Sequence, residues 1–225
     1  MESFVHKNQK DKKDRKEMIT EKIKQVFYSL PHEVITPKRG EIIFHQGNKV
    51  EKLGFIIEGV MTCSKFAYNG DKINTHYFYE GEIFPEYLLL TGEDKYIYNL
   101  VTEKNSKLLL INASHMRELL LQDIKWNNLI IEYMAWRGLN AEKWSLCNSY
   151  STLKSRIAYM LLEIKEIEEN QWTKISDSQK VIASKLHVSR PMYNQELIKM
   201  EREGLIKRNG QNIMLVNREK LETYF

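Results

Sequence analysis

A chain of 225 residues, 42% of them hydrophobic, holds enough apolar material for one large domain or two modest ones, which excludes a disordered tail. A formal charge of +4 and a pI near 8.8 are mildly basic, as in small DNA-binding proteins and in many enzymes, so charge alone decides nothing. Two cysteines, Cys63 and Cys147, are too few for a four-thiolate cluster or a disulfide framework and read as reduced thiols of a cytoplasmic protein.

The first residues, Met1-Glu-Ser-Phe-Val-His-Lys, carry acid and base without an apolar core, so no export signal is expected there. No apolar run approaches the ~20 residues of a membrane span, and no membrane association is expected. Residues 1–17 are charged and polar and are expected to form a flexible arm. Met18, Ile19, Ile23, Val26, Phe27 and Leu30 then recur at helical spacing, and Pro31 closes that helix.

From Glu33 to Asn112 short apolar runs alternate with Gly-containing turns at Gly40, Gly47, Gly59, Gly70, Gly81 and Gly92. Turns every ten or so residues between β-rich runs predict a sandwich, barrel or roll. Asn69-Gly70 is the strongest hairpin signal, because both residues tolerate the positive φ of a type I′ turn. A short helix is expected over Ser114–Leu121 with Ser114 as N-cap.

A long helix follows over Ile124–Asn148, with Ile130, Met134, Ala141 and Trp144 as a coiled-coil-like stripe. Trp126, Tyr133, Trp136 and Leu139 fill a second face. A helix apolar on two faces needs two partners: its own β domain, and the same helix of a second subunit. Ser149-Tyr-Ser-Thr reads as a hinge, with Ser151 or Thr152 capping a helix over Leu153–Glu169.

The segment Ile175–Ile206 reads as two short helices joined by a tight turn. Ser176 with Gln179 has capping-box spacing, and Ser178 is an equally good cap. Val181, Ile182 and Leu186 face inward, and Ala183 is small where the second helix crosses. His187 occupies the turn, where φ > 0 is often required and His is moderately tolerated. Ser189 caps the second helix, Pro191 fits its first turn, and Tyr193, Leu197, Ile198 and Met200 form its packing side.

Arg190, Met192, Asn194, Gln195 and Lys199 are left for the outward side. Arg, Asn and Gln make bidentate contacts to base edges, and the first turn of such a helix enters the major groove deepest. Arg190 is therefore the expected guanine contact, with Gln195 or Asn194 at a second base. Ser178, Gln179 and Lys180 at the start of the first helix complete the expected contact set. Two short strands around Asn209-Gly210 follow and make a wing, whose Lys207, Arg208 and Gln211 reach phosphate.

In this order of parts the chain resembles the Crp/Fnr family of transcription regulators over nearly everything after the first 20 residues. The matching stretches are Lys38-Arg-Gly-Glu-Ile-Ile-Phe-His-Gln-Gly47, Phe55-Ile-Ile-Glu-Gly-Val60, Gly81-Glu-Ile-Phe-Pro-Glu86, Ile182-Ala-Ser-Lys-Leu-His-Val-Ser-Arg190 and Glu201-Arg-Glu-Gly-Leu-Ile206. The resemblance implies an α+β fold: a cyclic-nucleotide-binding-like β-roll, a long dimerisation helix and a C-terminal winged helix-turn-helix. The boundaries expected are an arm at 1–17, a β-roll sensor domain at 18–122, a dimerisation helix and hinge at 123–149 and a DNA-binding domain at 150–225.

The resemblance also implies a homodimer on two-fold symmetric double-stranded DNA, with RNA polymerase as a candidate partner. In cyclic-AMP-binding members a Gly-Glu pair is followed by Arg-Ser. Here Pro85 precedes Glu86, and Tyr96 and Ile97 stand at the Arg-Ser positions, so a cyclic phosphate would meet Glu86 without its counter-charge. Cyclic AMP is not expected to bind in that way. Haem and an iron–sulfur cluster lack their ligands, and no cofactor or metal is expected. Tyr96–Leu100 and Asn69-Gly70 are similar to the virulence-regulator branch of the family in Gram-positive pathogens, which also lacks the cyclic-AMP signature. An effector pocket, if present, is expected at Phe84, Glu86, Tyr87, Tyr96 and Tyr98; the alternative is that these rings fill a closed core.

Two readings of function stay open: a sequence-specific regulator, and a small-molecule sensor acting through a protein partner with its C-terminal domain as a docking module. An enzyme is not expected, because no Ser/His/Asp order, GxxxxGK[ST] loop or HExxH occurs.

Overall fold

The computed structural model describes residues 2–66 and 72–225. Tertiary contacts divide it into two compact units, residues 1–133 and 134–225. The hairpin expected at Asn69-Gly70 lies outside the described residues.

In the first unit, α1 runs Glu2–Ser29, so residues 2–17 of the expected arm are helical instead. The segment holds neither Pro nor Gly and is rich in Lys, a good helix former; its polarity alone misled the reading. Ile19, Ile23 and Phe27 recur every four residues and are buried, and the Phe27 ring lies 5.7 Å from Phe55.

Pro31 ends this helix and an antiparallel β-roll begins. Its strands are β1 (His32–Ile35), β2 (Ile42–Phe44), β3 (Lys52–Glu58), β4 (Val60–Phe66), β5 (Lys72–Tyr79) and β6 (Ile83–Phe84). After α2 (Glu86–Thr91) come β7 (Asn99–Thr102) and β8 (Lys107–Asn112). Among the described residues they form two four-stranded sheets, ordered β1-β8-β3-β6 and β2-β7-β4-β5. Both sheets feed one core: Ile56 and Leu108 from the first, Met61, Phe78 and Leu100 from the second. Gly54 opposes Phe84 across the β3–β6 pair, and its missing Cβ is what gives the Phe84 ring its place.

Next, α3 (Ala113–Gln122) starts one residue before Ser114. The expected Ser114 cap is therefore not made, and the flanking Asn112 makes no side-chain cap either. Helix α4 follows over Ile124–Ser149. Its start is capped by Asp123, whose Oδ1 accepts from the Lys125 and Trp126 N–H groups at 2.8 and 3.2 Å. In the first unit this helix is fixed to β6 by Tyr133, whose buried hydroxyl accepts from the Ile83 N–H at 2.9 Å.

In the second unit, α5 (Leu153–Tyr159) is capped by Thr152, which accepts from the Ser155 N–H at 3.0 Å. It continues as one π-helical turn, Met160–Ile164. The helix expected to reach Glu169 stops there, because Glu166 takes φ +50°. There follow β9 (Thr173–Lys174), α6 (Gln179–Lys185), α7 (Arg190–Arg202), β10 (Ile206–Asn209), β11 (Asn212–Leu215) and α8 (Arg218–Glu222). The three strands form a sheet ordered β10-β11-β9. Ile157, Ala158, Leu161, Ile182, Leu197 and Leu215 share the core of this unit.

Candidate nucleic-acid interface

The two helices α6 and α7 are set by local chemistry at their ends. Ser178 caps α6, accepting from the Val181 N–H at 3.3 Å, while Ser176 is left exposed. Of the two caps weighed from sequence, Ser178 is the one used. His187 adopts φ +57° in the turn, the left-handed region expected of it. Ser189 caps α7 through the Met192 N–H at 3.4 Å, and Pro191 lies in the first turn, where a missing N–H costs nothing.

Burial then decides which side of α7 is free. Tyr193, Leu197 and Met200 are buried in one core with Ile182 and Ala183 of α6. At 1% exposure Ala183 leaves no room for a larger side chain at that crossing. Burial also raises the Tyr193 phenol well above its ordinary range. Arg190, Pro191, Met192, Gln195 and Lys199 are exposed or half-exposed. Lys180 is exposed and Gln179 half-buried at the start of α6; Lys207 and Gln211 are exposed on the wing.

Two expected contacts stand differently. Arg208, expected to reach phosphate, is half-buried and spent inside the domain. It donates to Glu201 Oε2 from Nε at 3.2 Å and from Nη2 at 3.0 Å, and to Asn194 Oδ1 from Nη1 at 3.1 Å. Asn194 is half-buried, and its Oδ1 is taken by Arg208. Hairpin-tip position alone could not reveal this, because Glu201 lies on the neighbouring helix.

Sequence reasoning also missed the polar frame beneath the turn. Asp177 is almost fully buried, and its Oδ2 accepts from Lys165 Nζ at 2.9 Å and Lys185 Nζ at 3.4 Å. Lys185 also sits 5.1 Å over the Trp144 ring. Arg156 donates from Nε to the Tyr150 carbonyl at 2.8 Å and from Nη1 to the Leu186 carbonyl at 3.2 Å. Asn148 donates to the Lys185 carbonyl at 2.9 Å. The last carbonyls of α6 are thus satisfied by side chains from α4 and α5. Cys147 donates its thiol to the Arg156 carbonyl at 3.2 Å, and burial pushes its pKa up to about 12, so it is a structural thiol.

The expected dimer stripe is displaced by this packing. Ile130 is buried within the first unit, and Trp144 is half-buried against the core of the second. Met134 is half-buried, and only Ala141 of the four is fully exposed. The large apolar residues that α4 leaves exposed are Ile124, Ile131, Leu139 and Leu146. At roughly 100° per residue they fall within an arc of about 80°. Two of the four expected stripe residues, Ile130 and Trp144, are thus packed within their own unit, and the apolar residues left exposed lie on another face of α4.

The five residues expected to line an effector pocket are mostly core. Phe84, Glu86, Tyr96 and Tyr98 are buried and Tyr87 is half-buried. Phe84 lies 6.1 Å from Phe44 and 6.0 Å from Phe78, and Tyr87 lies 6.3 Å from Tyr98. A cleft of about 640 Å³ opens instead between the edge strands β1 and β2. Tyr96, stacked on Phe44 at 4.5 Å, is the one of the five that lines it.

Residues 35–123 match the cyclic nucleotide-binding domain family, and residues 155–224 match the Crp-like helix-turn-helix domain. A global nitrogen regulator of Synechococcus elongatus is 24% identical over 135 residues, which are 59% of this chain and 60% of that protein. The structure of FixK2 from Bradyrhizobium japonicum superposes with a TM-score of 0.69 at 17% identity, over 87% of this chain and 98% of that one. A CRP/FNR-family transcriptional regulator from Thermus thermophilus gives 0.59 at 19% identity, over 85% and 97%. Among the described residues no helix is long and apolar enough to cross a membrane.

The Asp177 carboxylate is the buried charge that Lys165 and Lys185 share. Replacing it (Asp177→Asn) leaves two lysines without their shared counter-charge. Because each ammonium keeps about a fifth of its exposure, the expected loss is about 2–3 kcal/mol, below that of a fully buried pair. Urea unfolding of the variant and parent checks it.

Proposed function

Because this chain belongs to the Crp/Fnr family of transcription regulators, we propose that it is a cytoplasmic homodimer that binds a two-fold symmetric DNA site through α7. One observation carries the reading. Arg190 and Gln195 stand exposed on the first turns of a helix whose opposite side is wholly buried. Arg190 reads a guanine through its N7 and O6, Gln195 an adenine, and the apolar Met192 suits a thymine methyl. Ser178, Gln179 and Lys180, with Ser189, Lys199, Lys207 and Gln211, contact phosphate and fix the register without carrying sequence information.

Dimerisation is assigned to the face of α4 bearing Ile131, Leu139 and Leu146. Exposed apolar side chains of this size on a long helix gain most from a second copy of the same face, which is self-complementary about a two-fold axis. Two such subunits present two α7 helices to the two halves of a palindrome.

Control by a small molecule, where it operates, runs through something other than cyclic AMP, haem or an iron–sulfur cluster. Tyr96 and Ile97, where cyclic-AMP-binding members carry Arg-Ser, and the ring-filled interior of the roll support this for cyclic AMP. RNA polymerase is the candidate protein partner at a promoter.

Two measurements check these assignments. Arg190→Ala is expected to weaken binding to a selected palindromic duplex by about 1–3 kcal/mol and to flatten the preference at one base pair, with binding to scrambled DNA little changed. Equal loss on both duplexes would assign Arg190 to phosphate. The double change Ile131→Glu with Leu139→Glu is expected to give a monomer in sedimentation at micromolar concentration, while the parent sediments as a dimer.

A further inference from the structure

Arg208 on β10 and Asn194 on α7 are joined side chain to side chain. Arg208 Nη1 donates to Asn194 Oδ1 at 3.1 Å. The same guanidinium is held by Glu201 Oε2 through Nε and Nη2, and the Arg208 backbone N–H donates to Glu201 Oε1 at 3.1 Å. Four bonds from one residue to two positions of α7 fix the guanidinium in the plane it occupies.

A guanidinium only donates, so the atom that Asn194 turns toward it has to be the carbonyl oxygen. The direction of the amide is therefore set by Arg208. Its oxygen is engaged on the wing side, and its Nδ2 group is the part left for other partners. Asn194 stands one turn after Arg190 and beside Gln195, the two residues assigned to base contacts.

We propose that Arg208 sets the hydrogen-bond polarity of Asn194, so that Asn194 meets a base edge as a donor and discriminates against adenine. The inference rests on α7 being the DNA-reading helix. Recognition of adenine by Asn takes both halves of the amide: Oδ1 accepts from N6 while Nδ2 donates to N7. With one of the two lone pairs of Oδ1 held by a charged donor, that oxygen is a poorer acceptor for N6 and the two-bond preference for adenine is weakened. Adenine N7 can still accept from Nδ2, but its N6 donor then faces an oxygen already engaged, whereas guanine offers N7 and O6 and thymine O4 as acceptors alone. Arg208 is thus a positioning residue that acts on specificity through Asn194, and Glu201 offsets its charge and holds it in place.

The test is selection from a randomised double-stranded DNA library by the full-length wild type, Asn194→Ala, Arg208→Ala and Arg208→Lys. Binding is then measured on every single-base variant of the selected half-site. Asn194→Ala is expected to relax preference at one position, where the wild type takes guanine or thymine. At that position both Arg208 variants are expected to gain for adenine, on the order of tenfold relative to wild type. Arg208→Lys keeps the charge and covers the case in which Arg208→Ala fails to fold, which thermal melting reveals. If the wild type selects a sequence and the Arg208 variants choose the same base at that position, the inference falls alone. It also falls alone if Asn194→Ala relaxes no position. A wild type that selects no sequence at all overturns the DNA-reading role of α7, and this inference with it.

Discussion

A helix can read a groove only if it is held rigidly by one side and left bare on the other. Here the holding side is the burial of Tyr193, Leu197 and Met200 of α7 in one core with Ile182 and Ala183 of α6. Each large side chain of this kind gains roughly 1.5–3 kcal/mol from leaving water, and together they fix the rotation of α7 about its own axis. On the proposed reading rotation decides function: a turn of about 100° would bring the next residue to the groove in place of Gln195. The small Ala183 at the crossing, the left-handed His187 and the two serine caps all serve this one constraint.

The polar frame beneath the turn does related work with charge. Asp177 gathers Lys165 and Lys185, while Arg156 and Asn148 bind the carbonyls that end α6. These bonds tie the end of α4, the start of α5 and the turn into one body within the second unit. Cys147 and the Arg156 carbonyl close the same cluster from the other side. A displacement of the last turn of α4 would thus be felt at Leu186, directly before the turn that sets α7. The wing is held to α7 separately, through Arg208, Glu201 and Asn194.

Much of this was legible in the sequence, for identifiable reasons. Caps, turns and apolar spacing are local, so the positions of α6, α7, His187 and the wing follow from a few residues each. The order of matching stretches pointed to the family and the α+β fold, which the domain matches and structural likenesses bear out. What failed was non-local or ambiguous. Residues 2–17 are polar and nonetheless helical, since propensity and not periodicity governs a stretch with no apolar stripe. Helix α4 has apolar residues on two sides, and only tertiary packing tells which of Ile130 and Ile131 is buried. Arg208 looked free because its partners Glu201 and Asn194 are on another element, and the choice between pocket and closed core at Phe84 and Tyr98 stayed open because lining and filling use the same residue types.

The account stands or falls on sequence-specific DNA binding. The most direct measurement is competition between a duplex selected by the full-length protein and a scrambled duplex of equal length, near physiological salt. The account predicts a preference of at least about 10³-fold for the selected duplex. Equal affinity for the two at that salt would contradict it.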